Sequence, residues 1–190
     1  MKKIAAAIKI FLFLTIITGI VYPLFIMGIA QFFFAEKANG SLIYKDNKVV
    51  GSVLIGQQFD SVIYFSSRPS AVLYNPLPSG GSNYGLTDSK LKDKVLERKK
   101  DFIADNDLNI ETDIPSEMLF ASASGLDPHI SPLAALLQVN RIAKARKFEE
   151  KEKKRLVEII DSLSEKPQWL CLGEKRVNVL WLNLEVDKIK

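Results

Sequence analysis

The residues of this sequence that could carry out catalysis are concentrated in one segment, residues 122–131, which reads SASGLDPHIS. It contains His129, the only histidine of the chain, together with Asp127, Ser122 and Ser124. Serine hydrolysis requires a hydroxyl, a base within hydrogen-bond reach and an acid that orients the base. His129 lies directly before a helix start predicted at Ser131, so it could meet either serine only across a turn. We therefore rank a catalytic triad lowest among three interpretations of the segment.

The other two interpretations are a structural turn and a binding surface. Proline disfavours the helical conformation at Asp127, and Gly125 suggests a left-handed backbone or a close approach of two chain segments. Ser131 followed by Pro132 is typical of the start of a helix. Backbone amides at such a start could also bind a polar group or another subunit without catalysis. The sequence alone leaves both interpretations open.

Several function classes are excluded by what the sequence lacks. It has no G-x-x-x-x-G-K-[ST] motif for nucleotide phosphates, and with one histidine and one cysteine it offers no ordinary zinc site. Three of the 26 basic residues precede or begin the N-terminal apolar stretch, which leaves 23 against 22 acidic residues in the remainder. This balance disfavours a nucleic-acid-binding protein. Cys171 lies in the apolar stretch WLCLG, so we expect it to be buried.

The N-terminal stretch, residues 4–34, is almost continuously apolar and predicts a membrane anchor. At ~1.5 Å per residue its 31 positions would span roughly 46 Å as a helix, against ~30 Å for the hydrocarbon core. A secretory signal peptide is the alternative, but its apolar region would be about half as long. Because Lys2, Lys3 and Lys9 flank the N-terminal end, the positive-inside rule places that end in the cytoplasm. We expect an anchor at 1–35 and a soluble extracytoplasmic domain at 36–190.

Small, hydroxyl and proline residues interrupt this anchor at Thr15, Thr18, Gly19, Tyr22 and Pro23. Small and hydroxyl side chains let helices approach closely in lipid, and proline removes a backbone donor and disturbs the helix. The pattern is compatible with ordinary scatter or with a face that contacts partner helices. Thr18, Gly19, Tyr22 and Pro23 are the candidate contacts.

The remainder of the chain predicts one α+β domain. A strand from Ser41 to Tyr44, a second over 49–55 and an irregular loop over 62–86 are followed by helices over 88–105, 131–145 and 148–162. A short extended piece is expected at 118–121, and the apolar run 177–184 predicts a central strand. The expected inward side chains are Leu91, Val95, Leu96, Phe102, Ile103, Leu133, Leu136, Leu137, Val139, Ile142, Leu156, Ile159, Ile160 and Leu163.

An ordered set of motifs resembles one family. These motifs are Thr18-Gly-x-x-Tyr-Pro-Leu24, Ala38-Asn-Gly-Ser41, Val50-Gly-Ser-x-Leu-Ile-Gly-Gln57, Tyr64-Phe65, Arg68-Pro-Ser70, Gly80-Gly-Ser-Asn83, Ala123-Ser-Gly-Leu-Asp-Pro-His-Ile-Ser-Pro132, Gln138-Val, Arg176-Val-Asn-Val-Leu and Leu182-Asn-Leu184. Together they run from the anchor to the C-terminus. On these motifs the chain resembles the C subunits of bacterial Kdp-type potassium-transporting P-type ATPases.

The resemblance implies a non-catalytic accessory subunit of the bacterial inner membrane. It would stabilise a channel-like potassium-binding subunit, an ATP-hydrolysing subunit and a small membrane subunit, within a complex for high-affinity potassium uptake. The chain itself lacks the D-K-T-G phosphorylation motif of a P-type pump. No tightly bound cofactor is expected.

The resemblance also carries an alternative function, which is to raise the ATP affinity of the ATP-hydrolysing subunit. A nucleotide contact would then use Ser124, Gly125 and Gln138, with ATP met through that subunit. The charge rule disagrees, because it places the domain away from cytoplasmic ATP. We therefore prefer to interpret Gln138 as a helix residue that bonds a loop. Arg68, Asp127 and His129 are candidate partner contacts, and for Arg68 an acid of its own domain is the favoured partner.

Overall fold

The structure, a computed structural model, describes residues 2–169 and 171–189. It divides into two compact units, Met1–Val50 and Gly51–Lys190. The first contains helix α1 (Lys2–Ile16), a π-helical turn (Ile17–Val21) and helix α2 (Tyr22–Phe33). Among the described residues, Lys2–Phe33 is the one helix long and apolar enough to cross a membrane, by length and composition.

The π-helical turn lies where the sequence places its small and hydroxyl residues. Pro23 has no N–H for the helix ladder, and the wider turn directly before it accommodates this loss. The hydroxyls of Thr15 and Thr18 donate to the carbonyls of Phe11 and Leu14, each at 2.8 Å. These hydroxyls are thus satisfied within the helix, a common arrangement in apolar surroundings.

A short helix α3 (Ala35–Ala38) and a two-stranded hairpin follow. Strands β1 (Leu42–Lys45) and β2 (Lys48–Ser52) are joined by Asp46 and Asn47, both with positive φ, as a tight hairpin turn requires. The second strand begins one residue before the predicted 49–55 stretch and ends three residues earlier.

The second unit is mainly helical, with helices α4 (Ser89–Asp105), α5 (Pro132–Leu136), α6 (Val139–Arg146), α7 (Glu150–Leu163) and α8 (Val179–Val186). Two-residue strands β3 (His129–Ile130) and β4 (Val177–Asn178) pair antiparallel, with His129 opposite Asn178. Helix α7 packs against α5, α6 and α8. The core between these elements comprises Phe65, Phe102, Ile114, Met118, Ile130, Ala134, Ala135, Val139, Ile142, Ala143, Leu156, Ile159, Ile160, Val177, Val179, Leu182 and Val186.

Helices α4 and α7 confirm two predicted elements, and the mixture of helix and strand agrees with the α+β prediction to that extent. The carboxylate of Asp88 accepts from the N–H of Lys90 at 2.9 Å and so caps α4. Helix α7 begins with a reciprocal cap between Glu149 and Glu152, and its apolar side is buried as predicted.

The predicted central strand over 177–184 is wrong. Only Val177 and Asn178 are extended, and α8 begins at Val179 because the Asn178 side chain accepts from the N–H of Trp181 and caps a helix. Both faces of α8 carry buried residues, so its apolar residues are nearly continuous along the sequence. Such a run does not distinguish a buried strand from a buried helix.

Other differences concern turns and burial. The predicted helix over 131–145 is divided near Gln138 into α5 and α6, and Leu133 and Leu136, which we expected inside, are exposed. Leu96 is exposed, and a 3-10 turn (Ser116–Met118) replaces the extended piece expected at 118–121. The prediction of a buried Cys171 is also wrong, because the residue is exposed in a narrow hairpin, described over residues 165–169 and 171–176.

Candidate functional site

Five consecutive backbone carbonyls, those of residues 62–66, accept hydrogen bonds from side chains of the helical layer. We call these residues the clamped segment. Arg141 donates to the carbonyls of residues 62 and 64, Arg146 to that of residue 63, Asn183 to that of residue 65 and Gln138 to that of residue 66, at 2.7–3.3 Å. The segment lies outside helices and strands, and side chains supply the partners that a strand neighbour would give.

Gln138 and Asn183 each use both ends of their amide on this segment. The Gln138 oxygen accepts from the Ser66 N–H at 2.8 Å and its nitrogen donates to the Ser66 carbonyl, while Asn183 does the same for Phe65 at 2.8 and 3.0 Å. Gln138 has 0% and Asn183 2% of its surface exposed. Gln138 bonds a loop, as we expected, but it does so from the turn between α5 and α6 and not from within a helix.

Arg141 connects the clamped segment to helix α4. Its guanidinium also donates to the Asn106 side-chain oxygen and to Gln138 Oε1, both at 2.9 Å. Burial lowers the pKa of Arg141, and the charge of Asp105 opposes that shift. The guanidinium spreads its donors over carbonyls and amides, an arrangement suited to the planar arginine head.

The second polar cluster contains Arg68, Asp127 and His129. An ion pair joins Arg68 Nη1 to Asp127 Oδ2 at 2.7 Å, which confirms that Arg68 pairs with an acid of its own domain. The other oxygen, Oδ1, accepts from the His129 backbone N–H at 3.0 Å and lies 3.6 Å from the imidazole Nδ1. Burial would raise the pKa of Asp127, but the hydrogen bonds from His129 and the Arg68 guanidinium outweigh it and lower the pKa to about 2.

Residues 122–131 hold the loop that follows Arg68. Gly125 has φ +71°, and a Cβ there would lie 2.5 Å from a Val72 methyl and 2.8 Å from the Gly80 carbonyl oxygen. The Ser70 hydroxyl donates to the Gly125 carbonyl at 2.8 Å, and the Gly80 N–H donates to the Ser124 carbonyl at 3.0 Å. Glycine is therefore required at position 125 by conformation and by space.

Tyr74 extends these contacts. Its hydroxyl donates to the Arg68 carbonyl at 2.6 Å, and its ring packs where a Cβ on Gly56 would stand. Burial raises the pKa of Tyr74 to about 12, with the Asp127 charge adding to the rise and a hydrogen bond with Ser67 opposing it. The phenol thus remains a neutral donor across the physiological range.

A polar cavity of about 760 Å³ lies beside this cluster, between residues 116–131 and the hairpin of residues 165–176. Asp127, His129 and Ser131 line it together with charges of both signs from the hairpin. The Ser131 hydroxyl accepts from the Ala134 N–H and caps α5, as predicted. In the part of the chain described, no hydrogen bond joins the His129 ring to a serine hydroxyl. The geometry therefore favours the turn-and-cap interpretation over a hydrolytic site.

The predicted site residues fall into separate groups. Ser124 is exposed, Gly125 is buried, and Gln138 has both amide atoms bound to its own domain. Arg68, Asp127 and His129 are brought together, whereas Thr18, Gly19, Tyr22 and Pro23 lie on the exposed surface of the first unit. No three His, Cys, Asp or Glu side chains among the described residues are grouped to hold a metal ion.

Asn183, Arg141 and Tyr74 were missed by the sequence interpretation. An asparagine within VLWLNLEV is the signal that was available, because a polar residue in an apolar helix needs a buried partner. The sequence offers no comparable signal for Arg141, since its helix contains four basic or amide residues with similar spacing.

Comparison with known proteins identifies the family of this chain. A family described as KdpC, K⁺-transporting ATPase c chain, matches residues 4–188. The protein named Potassium-transporting ATPase KdpC subunit from Geotalea uraniireducens is 47% identical over 193 residues, covering 100% of this chain and 99% of the relative. Those from Leptospira interrogans and Dechloromonas aromatica, with the same name, are 46% and 47% identical over 97% and 96% of this chain, and over 93% and 95% of the relatives. The chain therefore belongs to the KdpC family, the c chains of potassium-transporting ATPases.

Proposed function

We propose that this chain is a non-catalytic accessory subunit that stabilises a high-affinity, ATP-driven potassium uptake complex. In this role it joins the potassium-binding subunit, the ATP-hydrolysing subunit and a small membrane subunit. Membership of the family supports a place in the complex. The observation that carries the stabilising role is the Lys2–Phe33 helix, which buries none of its described residues and has a π-helical turn at its small and hydroxyl positions.

Two physical arguments connect that helix with assembly. Lipid supplies no hydrophobic force between helices, so association depends on close packing and hydrogen bonds. Apart from the neighbouring backbone of its own helix, Gly19 has no atom within 4 Å of the position a Cβ would take, so its surface is open to a partner helix. The irregular turn around Gly19 gives a partner a distinct surface to recognise, as π-helical turns at functional sites do.

A non-catalytic role is supported by the way the second unit uses its polar groups. Gln138, Asn183 and Arg141 are bound to the clamped segment, and Asp127 is bound to Arg68 and His129. These are the groups that general acid–base chemistry or substrate binding would otherwise draw on. Here they fix the backbone.

The orientation we propose has the N-terminus in the cytoplasm and the second unit outside the cell membrane. Lys2, Lys3 and Lys9 support it through the positive-inside rule. In that position the domain would cover the potassium entrance of its partner. Protease added to intact spheroplasts should then degrade the domain and leave a protected anchor fragment. A domain that stays intact until the membrane is opened would overturn this orientation.

The alternative role, raising the ATP affinity of the ATP-hydrolysing subunit, needs a cytoplasmic domain and free nucleotide ligands. Ser124 is exposed, whereas the Gln138 amide is already bound at both ends. The spheroplast result separates the two roles.

Assembly itself is tested by expressing the other subunits with and without this chain. We expect that, without it, the tagged potassium-binding and ATP-hydrolysing subunits no longer co-purify in full yield and that potassium uptake from micromolar medium falls. A complex that assembles and transports normally in its absence would refute the proposal.

A further inference from the structure

The loop that follows Arg68 carries no charge over residues 69–87, which read PSAVLYNPLPSGGSNYGLT. We call these 19 residues the neutral loop. At the chain's 25% content of charged residues, a stretch of this length would contain about five. Uncharged surface segments of this size are unusual, and the centres of protein interfaces are depleted of charged side chains in the same way.

The neutral loop also exposes large apolar side chains. Leu73, Leu77 and Leu86 have 73%, 82% and 95% of their surface exposed. Single exposed leucines are normal on protein surfaces. Three of them in one uncharged stretch, together with the exposed Ala71, Pro76 and Pro78, give the loop an apolar exposed surface of the kind that marks interaction sites.

The backbone of the loop is strained at one of these leucines and at the tyrosine that follows it. Leu73 and Tyr74 have φ of +52° and +58°, and the Asn75 N–H donates to the Val72 carbonyl at 3.0 Å. This is a turn with positive φ at both central positions, where asparagine and glycine are preferred. Leucine and tyrosine disfavour this backbone conformation.

Hydrogen bonds and packing hold the strained turn in place. The Ser70 hydroxyl accepts from the N–H groups of Val72 and Tyr74 at 3.2 and 3.0 Å, while donating to the Gly125 carbonyl. Farther along, the Leu77 N–H donates to the Asn75 side-chain oxygen at 3.1 Å. A loop ordered before binding loses little conformational entropy when it docks.

We propose that the neutral loop is the surface by which the domain docks onto a partner subunit, and that it meets an apolar, uncharged protein surface there. This inference rests on the proposed function. The absence of charge selects the partner: an anionic lipid surface attracts lysine and arginine, and the loop has neither. Eleven of its 19 residues are exposed, about half of the 20–30 that one side of a specific interface usually contributes, so the loop would form part of that interface.

The first test places a photo-crosslinking amino acid at position 77 of the full chain, co-expressed with the other pump subunits. We expect a covalent adduct with one of those subunits. The same substitution at Ile110, which has 79% of its surface exposed outside the loop, is the matched control and should give little adduct. Adducts from position 77 only with lipid, or only with a second copy of this chain, would overturn the proposal.

The second test is a competition for incorporation into the complex between differently tagged wild-type and variant chains. Burying a leucine contributes roughly ten- to a hundredfold to an association constant. We therefore expect L73D/L77D to be incorporated at least tenfold less than wild type, and I110D equally to wild type. Equal incorporation of all three would contradict the inference.

A third variant separates docking from folding. Leu73→Asn suits the positive φ, so it should raise the melting temperature of the chain while lowering its incorporation. A structural role alone would not move the two measurements in opposite directions. If wild-type chain itself does not incorporate, the proposed function fails; if it does and the loop variants match it, only the docking inference fails.

Discussion

Replacing Gln138 by alanine tests whether this side chain is a structural clamp or a nucleotide ligand. The substitution removes the partners of the Ser66 N–H and carbonyl and takes an acceptor from Arg141. An unsatisfied buried backbone group costs about 1–3 kcal/mol, and Ser66 is only half-buried, so we expect a loss of roughly 2–4 kcal/mol. A domain of this size has a stability of about 5–15 kcal/mol, so the loss is large.

The measurement is urea unfolding of the full chain in detergent, followed by tryptophan fluorescence, together with a thermal melt. At about 2–4 °C per kcal/mol, the melting temperature should fall by roughly 4–16 °C. Gln58→Ala is the matched control, because the side chain of Gln58 is exposed and bonds nearby Asp60, and it should leave both measurements nearly unchanged.

The same variant is assayed in the assembled pump. If Gln138 is a structural clamp, complexes that contain the Gln138→Ala chain should reach half-maximal ATPase activity at the wild-type ATP concentration. Unchanged unfolding combined with a raised ATP requirement would refute our reasoning and favour nucleotide contact.

Three further predictions concern other parts of the chain. Asp127 has a folded-state pKa of about 2, below the ordinary value of 3.8, so its contribution of up to ~2 kcal/mol should be complete above about pH 4 and be lost as pH falls toward 2; Asp127→Asn should flatten that slope in acid unfolding curves. Gly125→Ala should destabilise the domain by roughly 2–4 kcal/mol in the same urea assay, because it combines a positive φ with close contacts, and wild-type stability would contradict that account. Gly19→Leu should reduce co-purification of the partner subunits whereas Gly28→Leu, elsewhere in the same helix, should not; equal yields would remove the π-helical turn from the proposed contact face.

The elements that the sequence predicts well have local signals. Helix α4 follows Asp88 and helix α7 follows a Glu149–Glu152 cap, and both have apolar residues at helical spacing. The N-terminal helix is similarly clear, because its apolar run is nearly continuous over Lys2–Phe33. In these cases one short stretch contains both the start signal and the periodicity.

The elements that failed depend on distant contacts. Helix α8 is buried on several sides, so its sequence lost the amphipathic pattern, and the cap at Asn178 was the only local sign of a helix. At the break, the amide of Gln138 bonds Ser66, 72 positions earlier in the chain. Propensity and periodicity contain no information about that contact.

The site shows the same division. The turn at Gly125 and the cap at Ser131 were predictable from residue type, since both need particular backbone geometry. The five clamped carbonyls were not, because their donors come from α6, α8 and the turn residue Gln138, all more than 70 residues away. Cys171 was misassigned for a related reason: an apolar neighbourhood in sequence became an exposed hairpin in space.

The hydrogen bonds give the second unit a continuous path from its helical core to its neutral loop. Side chains of Gln138, α6 and α8 fix residues 62–66. Arg68, two residues beyond the clamped segment, then pairs with Asp127. Asp127 belongs to the same segment as Gly125, whose carbonyl holds the Ser70 hydroxyl. A loop without regular secondary structure is thereby tied at several points to a rigid layer. Such support holds the apolar side chains of the loop in one conformation before binding. A flexible loop of the same composition would lose conformational entropy when it docked.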